Sequence, residues 1–155
     1  MNKMVRVSLA GLALAAVSVQ AEMVAVSITG EVEFNQVREG QFADVGSGDP
    51  VVIEFLVDSD DFLDSGSFNT RGYVVEQTSF WLTLGDVSVG LQDPFPAGLD
   101  PYFVLRDDDP AVDGFFMSTG PDFPTGLPVN EPAAFDPFFI CMYDIGYTGD
   151  TLSSL

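Results

Sequence analysis

The stretch VVIEFLV, from Val51 to Val57, decides the fold class. Its apolar side chains recur at every second position, and this period is typical of a β-strand that buries one face. The face expected to be buried carries Val51, Ile53, Phe55 and Val57. No stretch of the sequence shows apolar residues at helical spacing over three turns. We therefore expect an all-β fold.

The same alternation appears on both sides of this strand. Upstream, the segment Val24–Phe34 alternates apolar residues with Ser, Thr and Glu. Downstream, strands are predicted over 73–84, 102–106, 114–118 and 138–147. Loops rich in Gly, Pro, Ser and Asp are predicted over 40–50, 58–70, 92–101 and 119–137.

A Gly85-Asp86 pair lies between two alternating runs, which predicts a two-residue hairpin. Short strands separated by such turns are typical of an antiparallel β-sandwich or jelly roll. The length of residues 22–155 suits a single domain of this kind.

The N-terminal residues 1–21 have the organisation of a secretory signal peptide. Lys3 and Arg6 form a basic start, an apolar run follows over 7–19, and a small-residue cleavage site ends at Ala21. The run is shorter than the roughly 20 residues that span a bilayer. We expect cleavage near Ala21 and a mature chain that is secreted, periplasmic or held at the cell surface, with no transmembrane segment.

The charge of the chain is strongly unbalanced. It contains 24 acidic and five basic residues, no histidine, and a formal charge of −19. All acidic residues follow residue 21, whereas the basic residues that do so are Arg38, Arg71 and Arg106. Such a surface repels phosphate backbones and anionic lipid headgroups, so we expect neither nucleic acid nor an anionic membrane as a partner. Cations and neutral sugars are compatible with it, as is a role of the charge in solubility alone.

The residue types also limit the chemistry. Without histidine, the chain cannot form a His-dependent triad or a His-ligated zinc or copper site. The lone Cys141 cannot form an intrachain disulfide, and its apolar neighbours indicate a buried thiol. Glu31 and Glu33 are close together, but they project from the polar face of one strand, which indicates a solvent-facing pair rather than a glycosidase pair. We therefore expect a non-catalytic protein.

Two acidic clusters are candidates for calcium, which prefers six to eight oxygen ligands. The candidate ligands are Asp58, Asp60, Asp61 and Asp64 in the first cluster, and Asp107, Asp108, Asp109 and Asp113 in the second. The first cluster lacks the spacing of an EF-hand loop. Solvated loops are the alternative interpretation of both, and calcium is the one cofactor that the sequence suggests.

Aromatic residues are candidates for carbohydrate binding. Trp81, the only tryptophan, opposes Phe80 and Leu82 on a predicted strand. If those two residues face the core, Trp81 is exposed and its ring can stack on a sugar; if the faces are reversed, Trp81 belongs to the core. Further candidates for exposed aromatic side chains are Phe95, Tyr102 and Phe103.

Several segments together resemble a known family. These are TGEVEF over 29–34, GDPVVIEFLVDS over 48–59, FWLTLGDVSVGLQ over 80–92 and YTGDTLSSL over 147–155. In this layout the chain is similar to exoproteins of Gram-negative bacteria that carry the PEP-CTERM sorting signal. The resemblance implies export, a β-sandwich and association with the envelope or extracellular polysaccharide, and it transfers no catalytic residue.

The chain differs from that family because it has no Pro-Glu-Pro segment, apolar anchor or basic end. Its last residues would also leave the edge of a sandwich uncovered. We therefore expect a fragment that is truncated at the C-terminus. The leading functional hypothesis is an exported, non-catalytic β-sandwich protein of the cell surface or extracellular matrix. The alternatives are a calcium-assisted carbohydrate-binding module and, third, a glycan-active enzyme.

Overall fold

The structure is a computed structural model that describes residues 22–108, 112–131, 139–140, 143–146, 152 and 154–155. The strands in these ranges are β1 (Met23–Glu31), β2 (Pro50–Asp64), β3 (Thr70–Val75), β4 (Trp81–Leu84), β5 (Val87–Val89), β6 (Tyr102–Arg106), β7 (Asp113–Ser118), β8 (Leu127–Pro128), β9 (Phe139–Ile140) and β10 (Tyr143–Gly146). Short 3-10 turns cover Gln41–Asp44 and Gln77–Ser79. The strands pair antiparallel, which confirms the predicted all-β, antiparallel class.

Eight of these strands form one sheet in the order β10-β7-β6-β3-β2-β4-β5, with β1 also paired to β2, while β8 pairs with β9. The 15-residue β2 is shared between two groups of strands. Its first half pairs with β1 on one edge and β4 on the other, and its last residues, Phe62–Asp64, pair with β3. The finer expectation, a sandwich or jelly roll with two facing sheets, stays a prediction.

The core lies on the face of β2 that the alternation predicts. Ile53, Phe55 and Val57 are each at most 5% exposed. The buried side chains that share their cluster come from several strands and from residues around β8, and they include Val75, Phe80, Leu82, Val89, Leu91, Met117, Leu127 and Val129. Each such side chain contributes about 1.5–3 kcal/mol when it is fully buried. Because a slip of one residue would turn this set outward, the register of β2 is strongly specified.

The predicted uninterrupted strand over 73–84 is wrong, because the 3-10 turn Gln77–Ser79 separates β3 from β4. Leu56 of β2 explains the break. Its backbone N–H donates to Ser79 Oγ at 2.8 Å, and its carbonyl accepts from the N–H of Glu76 at 2.9 Å. At Leu56 the pairing partner of β2 changes from β3 to β4. The turn supplies hydrogen-bond partners for the backbone groups of β2 that neither strand reaches.

The loop predicted over 58–70 is also wrong in part, because β2 continues to Asp64. After a register shift, Phe62 pairs with Tyr73, and their rings lie 5.9 Å apart. The guanidinium of Arg71 lies 3.9 Å from the centre of the Phe62 ring. These cross-strand contacts stabilise a strand end whose acidic composition resembles that of a loop.

Three further elements agree with the sequence prediction, whereas β1 ends at Glu31 and not at Phe34, and β8 lies within the loop predicted over 119–137. The Gly85-Asp86 hairpin joins β4 to β5, and Gly85 has a φ of 59°, which glycine adopts without strain. The strand Tyr102–Arg106 has the predicted bounds, and β7 begins one residue earlier than predicted. Predictions for Cys141 and for residues 1–21 lie outside the described residues.

Gly72 of β3 allows a close approach of an aromatic ring. A Cβ atom at this position would lie 3.0–3.1 Å from three side-chain atoms of Tyr102 on the neighbouring strand β6. Tyr102 is buried and is 8% exposed, so its ring has little room to move. The glycine is therefore required by packing and not by a turn.

We expect Gly72→Ala to lower the free energy of unfolding by about 1–3 kcal/mol, the usual cost of overpacking. The matched control is Gly30→Ala on β1, because nothing lies within 4 Å of the Cβ that it adds. Thermal or urea unfolding of both variants tests this. Equal stability of the two variants would show that the Tyr102 ring does not limit position 72.

Glu131 joins two segments that are distant in sequence. Its side chain is buried at 2% exposure, and it accepts two hydrogen bonds from Gln41, from the backbone N–H at 2.7 Å and from the side-chain amide at 2.8 Å. Both carboxylate oxygens are thus occupied by donors at the start of the 3-10 turn Gln41–Asp44. This buried acid has no signal in the sequence.

Glu131→Gln is expected to destabilise the protein by about 1–3 kcal/mol, because the new amide group places a donor against one of the Gln41 donors. The exposed Glu33 provides the control Glu33→Gln, for which we expect little change. Chemical denaturation of the two variants at neutral pH makes the comparison. A Glu131→Gln protein as stable as the control would contradict the assigned hydrogen bonds.

Candidate functional site

Trp81 is the most exposed residue of its strand. Its neighbours Phe80 and Leu82 are each 1% exposed, whereas Trp81 is 51% exposed. Since successive side chains of a strand point to opposite faces, burial of those two residues turns the indole outward. Of the two orientations that the sequence left open, the structure therefore has the exposed one.

Trp81 lines a groove with a volume of about 220 Å³. The apolar part of the groove is formed by Phe80, Leu91 and the indole itself, next to Gly90. The polar part consists of side chains that the sequence did not single out, namely Gln77, Thr78, Gln92 and Asp93. An aromatic surface thus lies beside amide, hydroxyl and carboxylate groups.

The first wall of the groove is the 3-10 turn that interrupts the strands. Glu76 closes this turn, because its carboxylate accepts the backbone N–H of Thr78 at 3.3 Å and the Thr78 hydroxyl at 2.9 Å. Ser79 adds a bond from its N–H to the Glu76 carbonyl at 3.0 Å and donates its own hydroxyl to the same oxygen at 2.7 Å. The backbone of Gln77 and Thr78 is therefore held in place.

The second wall, residues 90–93, is attached to β8 and its surroundings. Leu91 forms an isolated β-bridge with Val129. On either side, the N–H of Gln92 donates to the Pro128 carbonyl at 3.0 Å, and the Gly90 carbonyl accepts from Asn130 at 2.9 Å. These backbone bonds fix the wall independently of any ligand.

The arrangement can bind a hydroxylated ring. The flat apolar face of the indole can cover a sugar ring, and amide, hydroxyl and carboxylate groups can exchange hydrogen bonds with sugar hydroxyls. Glu54, the cross-strand partner of Trp81 on β2, adds an exposed carboxylate beside the indole. The charged residue of the groove lining and the cross-strand partner of Trp81 are thus both acidic.

The other aromatic candidates are placed differently. The expectation that Tyr102 is exposed is wrong, since its ring packs with Val104 and Phe116. Burial raises the pKa of the Tyr102 hydroxyl, with further contributions from the charges of Asp100 and Asp61. Phe95 and Phe103 are partly buried against the main core, and Phe103 packs on Phe55 with ring centres 5.3 Å apart. Trp81 is therefore the candidate of this group that presents its ring to solvent.

The first acidic cluster lies along β2 and not in a loop. Asp58 accepts the backbone N–H of Asp60 at 2.9 Å, and Asp60 and Asp61 are exposed. The carboxylate of Asp64 is occupied by Arg71, whose Nε and Nη2 donate to its two oxygens at 2.6 and 3.0 Å. These hydrogen bonds hold the pKa of the Asp64 carboxyl below its ordinary value and raise the pKa of Arg71.

The second cluster forms a turn after β6. Asp108 has a φ of 50°, and its N–H donates to Asp113 Oδ1 at 3.1 Å. Asp113 is buried at 2% exposure, and its other oxygen accepts the backbone N–H of Leu152 at 2.8 Å. Asp107 donates its N–H to the Asn69 carbonyl at 3.1 Å, and Asp109 lies outside the described residues.

Within the described ranges, no three Asp, Glu, Cys or His side chains come together in a way that could hold a metal ion. Asp64 and Asp113 already accept hydrogen bonds from other parts of the chain. The calcium sites stay predictions.

A larger cavity, of about 290 Å³, lies between the end of β1 and the 3-10 turn Gln41–Asp44. Its lining is mostly apolar and includes Phe34, which is 68% exposed, and the buried Phe42 and Val45. The Asn35 amide donates to the carbonyls of Phe42 and Val45 at 2.6 and 2.8 Å, so it is occupied in shaping the loop. Because few polar groups remain to orient a ligand, the Trp81 groove is the better candidate site.

We expect the Asp64 carboxyl to titrate below its ordinary range and to move back towards it in Arg71→Gln. A lowered folded pKa means that the ion pair stabilises the fold at neutral pH and that this contribution is lost as the pH falls below about 4. Carbon-detected NMR titration of the carboxyl measures the shift. Arg38→Gln is the control, since Arg38 donates to the carbonyls of Asn35 and Val37. An Asp64 titration that is the same in wild type and Arg71→Gln would contradict the pairing.

In the part of the chain that the structure describes, no helix is both long and apolar enough to cross a bilayer. In comparisons with known proteins, the chain matches no protein-family model, no curated protein and no solved structure.

Proposed function

We propose that this chain is an exported, non-catalytic β protein that binds a carbohydrate in the Trp81 groove, at the cell surface or in the extracellular matrix. The observation that carries the proposal is the exposure of Trp81 beside a rigid groove with polar side chains. Burial of an exposed aromatic ring under a ligand supplies binding free energy that is unused in the free protein.

The size and rigidity of the groove support a sugar ligand. Its volume of about 220 Å³ is below the range of cavities that enclose a drug-sized molecule, and it suits one ring of a longer chain. Both walls are held by hydrogen bonds within the protein, so binding requires little ordering of the backbone. A polysaccharide can extend from such an open groove in either direction.

The carboxylates of the groove support binding rather than hydrolysis. A glycosidase needs two carboxyl groups about 5–9 Å apart on either side of the bond. Of the residues that line the groove, Asp93 alone is acidic, whereas Glu54 lies next to Trp81 on β2, outside the lining. The neighbouring Glu76 is occupied with Thr78 and the turn.

The proposed binding does not require calcium, because the groove lining lacks the six to eight oxygen ligands that the ion prefers. Affinity should therefore be the same in calcium and in a chelator. If chelation abolishes binding, the calcium-assisted alternative at the Asp58–Asp64 or Asp107–Asp113 segments replaces this one.

The location in the proposal is supported by the basic start, short apolar run and small-residue site of residues 1–21. Expression of the full chain in a Gram-negative host, followed by fractionation and N-terminal sequencing, tests it. We expect material outside the cytoplasm that begins at Glu22. Cytoplasmic protein that retains Met1 would contradict export.

The binding test uses the fluorescence of Trp81, the only tryptophan of the chain. A sugar that covers the indole should shift its emission to shorter wavelength, and Trp81→Ala should weaken binding at least about tenfold, or about 1.4 kcal/mol. A glycan array, followed by calorimetry on its hits, measures the affinity of both proteins.

Phe34→Ala is the matched control, because Phe34 is more exposed than Trp81 but lines the other cavity. We expect Phe34→Ala to bind as the wild type does. Unchanged affinity in Trp81→Ala, at unchanged stability, would disprove the role of the groove.

A further inference from the structure

We infer that the Trp81 groove selects sugars with a free amino group over neutral sugars, and neutral sugars over uronic acids and sulfated sugars. This inference rests on the proposed function and names the ligand class of the same site. It follows from the sign of the charges around the indole.

Three acidic residues lie in or next to the groove. Asp93 lines the groove, Glu54 is the exposed cross-strand neighbour of Trp81, and Glu76 precedes the wall residue Gln77. The Glu76 carboxylate accepts hydrogen bonds from the hydroxyl of Thr78, which lines the groove. A ligand in the groove therefore meets negative charge from the second wall, from β2 and from the 3-10 turn.

The cations of the described chain are placed elsewhere. None of the three arginines in the described ranges, Arg38, Arg71 and Arg106, lines the groove. Arg71 pairs with Asp64 and stacks on Phe62, and Arg38 donates to backbone carbonyls near residue 35. Arg106 lies on β6 and lines a different cavity, with Phe68 and Phe123. An anionic sugar would thus meet repulsion that none of these described arginines is placed to relieve.

An ammonium group would find two complementary partners in this groove. The face of an indole attracts a cation through its quadrupole. The Asp93 carboxylate can accept a charge-assisted hydrogen bond from the same group, which is stronger than a bond to a sugar hydroxyl. Each contribution at an exposed site corresponds to a few-fold in affinity, so together they give a preference of about tenfold.

The experiment compares short oligosaccharides of equal length, because a long polycation would bind any acidic protein. The probes are β-1,4-linked glucosamine, its N-acetylated form and an oligomer of a uronic acid, each titrated into the full mature chain with Trp81 fluorescence as readout. We expect the glucosamine oligomer to bind about tenfold tighter than the acetylated form, and the uronic acid oligomer to bind weakest. The preference should decrease with added salt.

Asp93→Asn separates the charge effect from sugar binding itself. The readout is the ratio of the affinities for the two oligomers, and we expect this variant to lose most of the preference for glucosamine even where its affinity for both oligomers changes. Asp86→Asn is the control, since it removes the same charge at the β4–β5 hairpin, at the opposite end of β4 from Trp81. We expect Asp86→Asn to keep the preference.

The outcomes distinguish the two proposals. Equal affinity for glucosamine and acetylated oligomers, or an unchanged preference in Asp93→Asn, overturns the charge selection and leaves the sugar site standing. If Asp86→Asn loses the preference as Asp93→Asn does, the preference is a general effect of net charge. That result also overturns the charge selection by the groove. No binding of any of the three oligomers, with no hit on a glycan array, overturns the proposed function itself.

Discussion

Burial of one face of β2 is the constraint on which the rest of this structure depends. Ile53, Phe55 and Val57 face the core, and both edges of the strand are paired along its first half. A register slip of one residue would expose these three side chains and bury Glu54, whose charge has no partner in the core. The positions of β1 and β4 are set by the same constraint, because each pairs with residues whose faces are already determined.

The exposed indole follows from that register. Ile53 pairs with Leu82, so the neighbouring pair, Glu54 and Trp81, lies on the outer face. The groove beside it requires more than a strand. Its walls are held by Glu76 on Thr78 and by backbone bonds from residues 90–92 to residues 128–130. A side chain turned outward for reasons of packing thereby becomes part of a preformed and acidic binding surface.

Some elements of this fold could be predicted from the sequence, and others could not. The hairpin at Gly85-Asp86 and the strand at 102–106 were predictable, because turn residues and local alternation specify them. The break at 77–79 was not predicted, although four polar residues in a row, EQTS, could have indicated a turn. Tyr102 was misplaced because β6 carries apolar residues on both faces over 102–105, and alternation cannot reveal which face is the buried one. Asp64 lies in an acidic segment of the kind that is typical of loops. Its place in β2 follows from its backbone register and ion pair with Arg71, which the sequence does not show.

By itself, the sequence determined the antiparallel all-β class and the excess of negative charge, because both are properties of local pattern and composition. Only the tertiary structure decided that Trp81 faces outward and that Gln77 and Asp93 lie beside it. A strand with alternating side chains can turn either of its two faces to the core. Packing against the neighbouring elements decides which face is buried. Contacts between segments as far apart as Gln92 and Pro128 have no local signal in the chain, since they form when the backbone groups of one segment satisfy those of another.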